Sequence, residues 1–128
     1  MDDRTMLELA AKAAGIEWIP ANTEKGIELE PVFGLWLKIH GEPYEGQRRR
    51  WNPLANDGDA LRLASELHIN IEFVKGLTTK QFIEISAYPS GRGDCLCLEP
   101  IGDDPNQAAR RAVTRAAAAI QLAKESGK

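Results

Sequence analysis

The chain is poor in the residues that build most small active sites and disulfide scaffolds. Its 128 residues include only two cysteines and two histidines. Two cysteines cannot form a disulfide-stapled scaffold, and a four-ligand zinc site normally shows a second Cys or His pair. No apolar run approaches the roughly 18–20 residues that a membrane helix needs. The acidic start, Met1-Asp2-Asp3-Arg4, lacks the apolar stretch of a signal peptide. We therefore expect a soluble, cytoplasmic protein whose thiols are reduced.

What the chain does contain is typical of one globular domain. Hydrophobic residues make up 43% and charged residues 27%, as in ordinary folded proteins. The length fits one domain, which we place at residues 1–128. There is no internal repeat, heptad run or low-complexity linker, so fibrous and disordered classes are excluded.

Charge is distributed unevenly along the sequence. The formal net charge is −3 and the isoelectric point is about 5.4, which disfavours a general nucleic-acid-binding protein. Two basic clusters stand out, Arg48-Arg49-Arg50 and the arginines near the start of the last predicted helix.

Two helices are predicted before the last one. Apolar residues at helical spacing indicate a first helix from Arg4 to Ala14, and Gly15 stands where a left-handed cap belongs. A second helix begins near Asn56 or Asp57, which are good N-caps, and ends near His68.

The last helix has the strongest start signal. Asp104 is a good N-cap, Pro105 suits the first helical position, and Gln107 can complete a capping box. A long stripe of alanines follows. Self-association through this small-residue face is an open alternative, because such a face packs equally well in a core.

Between the helices the apolar period changes to two, which is typical of strands. The alternation places Phe82 and Ile85 on opposite faces of one such strand. The predicted strands and their hairpin turn are 16–19, 33–39, 69–73, 81–87, the turn 90–93 and 94–98. We predict an α+β fold, a single-domain helix–sheet–helix sandwich with about three helices around a mostly antiparallel sheet of about four strands.

The most distinctive stretch is residues 51–64, W-N-P-L-A-N-D-G-D-A-L-R-L-A. Trp51 is an apolar anchor, and Asn52 is held extended because a proline follows it. Leu54 then returns to the core and the second helix starts. We interpret the stretch as a structural connection between a strand and a helix.

The same stretch resembles the W-N-P-L-x-x-D-G-D-A-L-R-L-A run of the phage ABA sandwich domain family. Residues 7–15 and 109–118 are similar to the end helices of that family. The resemblance implies a helix–sheet–helix sandwich and a phage or prophage source. The family has no established activity, so the resemblance transfers no catalytic or binding residues.

No pattern in the sequence supports catalysis. His40 and His68 have no ligand-spaced neighbours, and Cys95 and Cys97 suit buried positions on one face of a strand. The motifs of hydrolases, nucleotide-binding loops and zinc proteases do not occur. We predict no catalytic residues, no metal and no cofactor, and we do not expect an enzyme. A small enzyme with a dispersed site stays as a third hypothesis.

The first function hypothesis is a phage or prophage accessory protein that binds a host or phage protein. The predicted contact surface is a turn-rich loop that carries Tyr44, Arg48, Arg49, Arg50 and Trp51, since arginine pairs with carboxylate and phosphate groups. The alternative for this loop is a solvated tip with Trp51 turned into the core.

The second hypothesis is a nucleic-acid-associated protein. It combines the basic loop with Arg110, Arg111 and Arg115 of the last helix. Phosphate contacts release counterions, so this hypothesis predicts binding that weakens steeply with salt.

Overall fold

Three helices and six strands lie in the part of the chain that the structure describes. The computed structural model describes residues 2–16, 18–20, 35–38, 48–76, 82–90 and 97–127. The elements in chain order are α1 (Asp3–Ala13), β1 (Trp18–Pro20), β2 (Leu35–Lys38), β3 (Arg48–Trp51), α2 (Asp57–Leu67), β4 (Ile69–Lys75), β5 (Phe82–Pro89), β6 (Cys97–Pro100) and α3 (Pro105–Glu125). The predicted α+β class is confirmed.

Both ends of α1 and α2 and the start of α3 lie within a residue or two of their predicted positions, since each is marked by local hydrogen bonds. The Asp104 side chain accepts from the backbone N–H groups of Asn106 and Gln107 at the start of α3. Asn56 caps α2 in the same way. Gly15 follows α1 with φ +72°, the left-handed conformation that glycine adopts without strain.

The strands form two antiparallel sheets of three, in the orders β1-β2-β3 and β4-β5-β6. The sequence predicted one sheet of about four strands. The difference arises partly because β3 pairs with β2 where a loop was predicted. β6 begins at Cys97, and residues 91–96 of the predicted hairpin lie outside the described part of the chain.

The β4–β5 pair contains a register shift that changes which residues share a face. Val74 pairs with Glu84, but Lys75 pairs with Phe82, so Ile83 is passed over. A strand that gains one residue in this way reverses its alternation beyond the bulge. Phe82 therefore lies on the same face as Phe73, with ring centroids 5.5 Å apart.

The core is built around α3. This helix packs against α1, α2 and all three strands of the second sheet. Its alanines 112, 116 and 117 have no exposed surface, because small side chains allow the other elements to approach closely. The small-residue face is thus part of the core, and the suggested self-association through it is wrong.

The described helices include none that is long and apolar enough to cross a membrane.

Candidate interaction surface

The distinctive stretch from Trp51 onward is held together by its own hydrogen bonds. Asn52 Oδ1 accepts from the Leu54 backbone N–H at 3.0 Å. Asp59 Oδ2 accepts from the Asn52 N–H at 2.9 Å, and Asn56 Oδ1 accepts from the Asp59 N–H at 2.9 Å. With Trp51 in the core, these bonds fix the path from β3 into α2. The structural interpretation of this stretch is supported.

The acidic residues at the start of α2 have arginine partners. Arg62 Nη2 donates to Asp59 Oδ1 at 2.7 Å, and Arg110 Nη1 donates to Asp57 Oδ1 at 2.6 Å. Carboxylates therefore occupy the positive end of this helix dipole. A phosphate would be repelled there.

The residues of the predicted loop surface do not form an exposed loop in the described part of the chain. Tyr44 lies outside the described residues. Arg48, Arg49 and Arg50 lie on β3, opposite residues of β2. Trp51 is only 2% exposed, so it is a core residue as the alternative interpretation had it. The prediction of a loop here is wrong because these residues pair as a strand.

Two arginines of the nucleic-acid hypothesis join α3 to the other helices. Arg110 donates from Nε to the Leu54 carbonyl at 2.9 Å, in addition to its contact with Asp57. Arg111 Nη1 lies 3.3 Å from Asp3 Oδ1 on α1. The charge of each arginine is thus offset by a carboxylate of the same chain.

The third arginine pairs with a buried acid. Arg115 Nη1 lies 2.6 Å from Glu99 Oε1 on β6, and the Glu99 side chain is only 9% exposed. A buried carboxylate needs a compensating charge, and Arg115 supplies it. All three arginines of the nucleic-acid hypothesis therefore have structural partners.

Of the remaining candidate residues, the structure describes only His68 and Cys97. His40 and Cys95 lie outside the described residues. His68 is exposed in a left-handed conformation at the end of α2, with φ 54°, and Cys97 is buried. Within the described ranges, no three His, Cys, Asp or Glu side chains are grouped to hold a metal ion.

A surface that the sequence did not indicate is formed by four large apolar side chains. We call it the apolar surface, and it consists of Leu61 (66% exposed), Ile71 (41%), Phe73 (49%) and Phe82 (46%). Leu61 and Ile71 line a groove of about 290 Å³ between α2 and α3. Phe73 follows Ile71 on the same face of β4 and contacts Phe82 across the sheet.

This surface exists because the helices cover only part of the inner sheet face. Ile69, Ile85 and Ala87 are buried in the core cluster, whereas Ile71 and Phe73 on the same face of the sheet remain half-exposed. How far the helices extend over a sheet is a tertiary property, so no local signal marked this region.

Comparison of the chain with family models, curated proteins and solved structures found no match. The resemblance of residues 51–64 to the phage ABA sandwich domain family stays a prediction.

Proposed function

We propose that this chain is a non-enzymatic phage or prophage protein that acts by binding another protein in the cytoplasm of a bacterial host. The observation that carries the proposal is the apolar surface of Leu61, Ile71, Phe73 and Phe82. The phage source is proposed from the resemblance of residues 51–64.

The physical support is the exposure of neighbouring aromatic and aliphatic side chains. Large apolar groups in one contiguous patch are unfavourable in water and mark interaction sites on many proteins. Aromatic residues are enriched at the centres of protein interfaces. Lys75 at the edge of the patch, with Nζ 5.4 Å from the Phe82 ring centroid, is the kind of charged residue found at an interface rim.

The nucleic-acid alternative has less support. Arg110, Arg111 and Arg115 each lie beside a carboxylate of the chain, and a phosphate would have to compete with these partners. The prediction for this alternative is unchanged: binding that disappears as salt rises.

A pull-down from bacterial lysate tests the proposal, run with and without nuclease and at two salt concentrations. The bait proteins are the wild type, Leu61→Glu and Phe73→Glu, with Leu122→Glu as a matched control. Leu122 is 43% exposed on α3 and lies roughly 13 Å along the helix from Val113 of the groove, at 1.5 Å per residue. All four baits must show the same helical circular dichroism.

We expect a protein captured by the wild type and by Leu122→Glu but lost from the other two variants, with or without nuclease. Capture of the same protein in equal amounts by all four baits would contradict a role for the apolar surface in binding that protein. Recovery of nucleic acid alone, lost at the higher salt, would favour the alternative.

A further inference from the structure

We propose that the apolar surface binds a second copy of this chain and forms a symmetric dimer. The inference rests on the proposed function and names the protein partner. Three properties of the described residues support a self-complementary contact: the amount of apolar area, the position of two opposite charges, and the geometry of the aromatic pair.

The apolar area is about half of what one partner buries in a standard interface. Four large side chains, each about half exposed, present on the order of 400 Å² when a buried aromatic side chain accounts for roughly 150–250 Å². A standard interface buries about 800 Å² per partner, with an apolar centre and a polar rim. The apolar surface supplies about half of that area, and its charged neighbours supply a rim.

Opposite charges lie on opposite sides of the apolar surface. Asp57 on α2 lines the groove beside Leu61, and its side chain is 70% exposed despite the contact with Arg110. Lys75 lies on the other side, where its Nζ is over the Phe82 ring. In a symmetric dimer whose two-fold axis runs across the line from Lys75 to Asp57, Lys75 of one copy faces Asp57 of the other. Both contacts then pair opposite charges.

The aromatic side chains contribute apolar area to the contact between the two copies. The Phe73 and Phe82 rings are tilted by 49° at 5.5 Å, a favourable arrangement for aromatic pairs. The bulge at Ile83 is what brings Phe82 to this face. In the orientation that brings Lys75 of one copy to Asp57 of the other, the Phe82 ring of each copy lies opposite the Leu61 side of the other. Both aromatic pairs are then removed from water.

Sedimentation equilibrium of the full chain over a wide concentration range tests the dimer. We expect a wild-type dimer and an increase of at least tenfold in the dissociation constant for Leu61→Glu and for Phe73→Glu. Leu122→Glu is expected to dimerise like the wild type. Circular dichroism must show that each variant is folded.

A mixing experiment tests the orientation of the two copies. Lys75→Glu and Asp57→Lys each place like charges at both contacts, so each variant alone should dimerise weakly. An equal mixture restores opposite charges at both contacts and should form a heterodimer with an affinity near that of the wild type. If Asp57→Lys fails to fold without its Arg110 contact, Lys75→Glu alone is measured at two salt concentrations, and its defect should shrink at high salt.

The outcomes separate this inference from the proposed function. A wild-type chain that stays monomeric at the highest concentration overturns the dimer, as does a dimer that Leu61→Glu and Phe73→Glu leave intact. A mixture that stays monomeric overturns the paired orientation. If the wild type is monomeric but the lysate experiment loses a captured protein on Phe73→Glu, the proposed function stands and the second copy is the wrong partner.

Discussion

Arg115 and Glu99 form an ion pair that joins α3 to β6, with Nη1 of the arginine 2.6 Å from Oε1 of the glutamate. The glutamate is nearly buried, while the arginine side chain is about half exposed. One of the three arginines that the sequence offered for nucleic-acid binding thus connects helix to sheet. Whether an arginine is available to a phosphate depends on whether a carboxylate of the same chain lies beside it.

Removing Arg115 should destabilise the fold more than removing the arginine of a less buried ion pair. Arg115→Met leaves the Glu99 carboxylate buried without its counter-charge. We expect the free energy of unfolding to fall by about 2 kcal/mol, less than for a fully buried pair because Arg115 is partly solvated. The control is Arg4→Met, whose partner Glu8 is 37% exposed against 9% for Glu99; this pair should contribute at most about 1 kcal/mol. Urea denaturation measures both; equal losses would contradict the prediction.

Asp59 should be the most sensitive polar position of the connection into α2. Its carboxylate accepts from the Asn52 N–H and from Arg62, and the residue is only 4% exposed. Asp59→Ala leaves a backbone donor without its acceptor and should lower the free energy of unfolding by about 2 kcal/mol. The exposed Asp103→Ala is the control in the same denaturation experiment. A loss for Asp59→Ala no larger than for the control would show that the connection does not need this carboxylate.

Gly15 ends α1 in a conformation that disfavours a side chain. Its N–H donates to the Lys12 carbonyl and the Ile16 N–H donates to the Ala11 carbonyl, the two bonds of a Schellman motif. Gly15→Ala should lower the free energy of unfolding by about 1 kcal/mol because of the positive φ. Gly15→Asn should lower it less, since asparagine tolerates this region. Thermal or urea unfolding that ranks the two variants the other way would argue against strain as the cause.

The start of α1 should weaken in acid. The pKa of Asp2 lies below its ordinary value because its carboxylate accepts hydrogen bonds from the Thr5 side chain and the Thr5 N–H, the latter at 2.8 Å. A lowered pKa means that the stabilisation is present above the ordinary pKa and is lost as the pH falls through the lowered one. The Thr5 amide signal, followed by NMR during acidification, should report this loss. In Asp2→Asn, which caps without titrating, the change at Thr5 should be absent.

The helices were predictable from the sequence because their ends are determined locally. Asp104 and Gly15 act within a few residues of their own positions, so residue type and spacing were enough to predict both. The α+β class followed from the same patterns. The burial of Trp51 was among the alternatives, although the choice between them required the structure.

The partners of β3 and the face of Phe82 were not predictable in this way. Three consecutive arginines carry no apolar alternation, and only pairing with β2 makes them a strand. The alternation of one strand placed Phe82 and Ile85 on opposite faces of the sheet. The bulge at Ile83 brings them to the same face. A bulge is decided by two strands together, so one strand's sequence does not reveal it.

The beginnings and ends of the helices follow from the order of the residues, because capping and helix propensity involve neighbours along the chain. Packing between elements settles which charged side chains pair within the chain and which apolar side chains remain in water. Arg115 meets Glu99, and Phe73 is left uncovered, through contacts between elements distant in sequence. The physical reason is that burial and ion pairing depend on the summed packing of several elements, whereas a helix end depends on one.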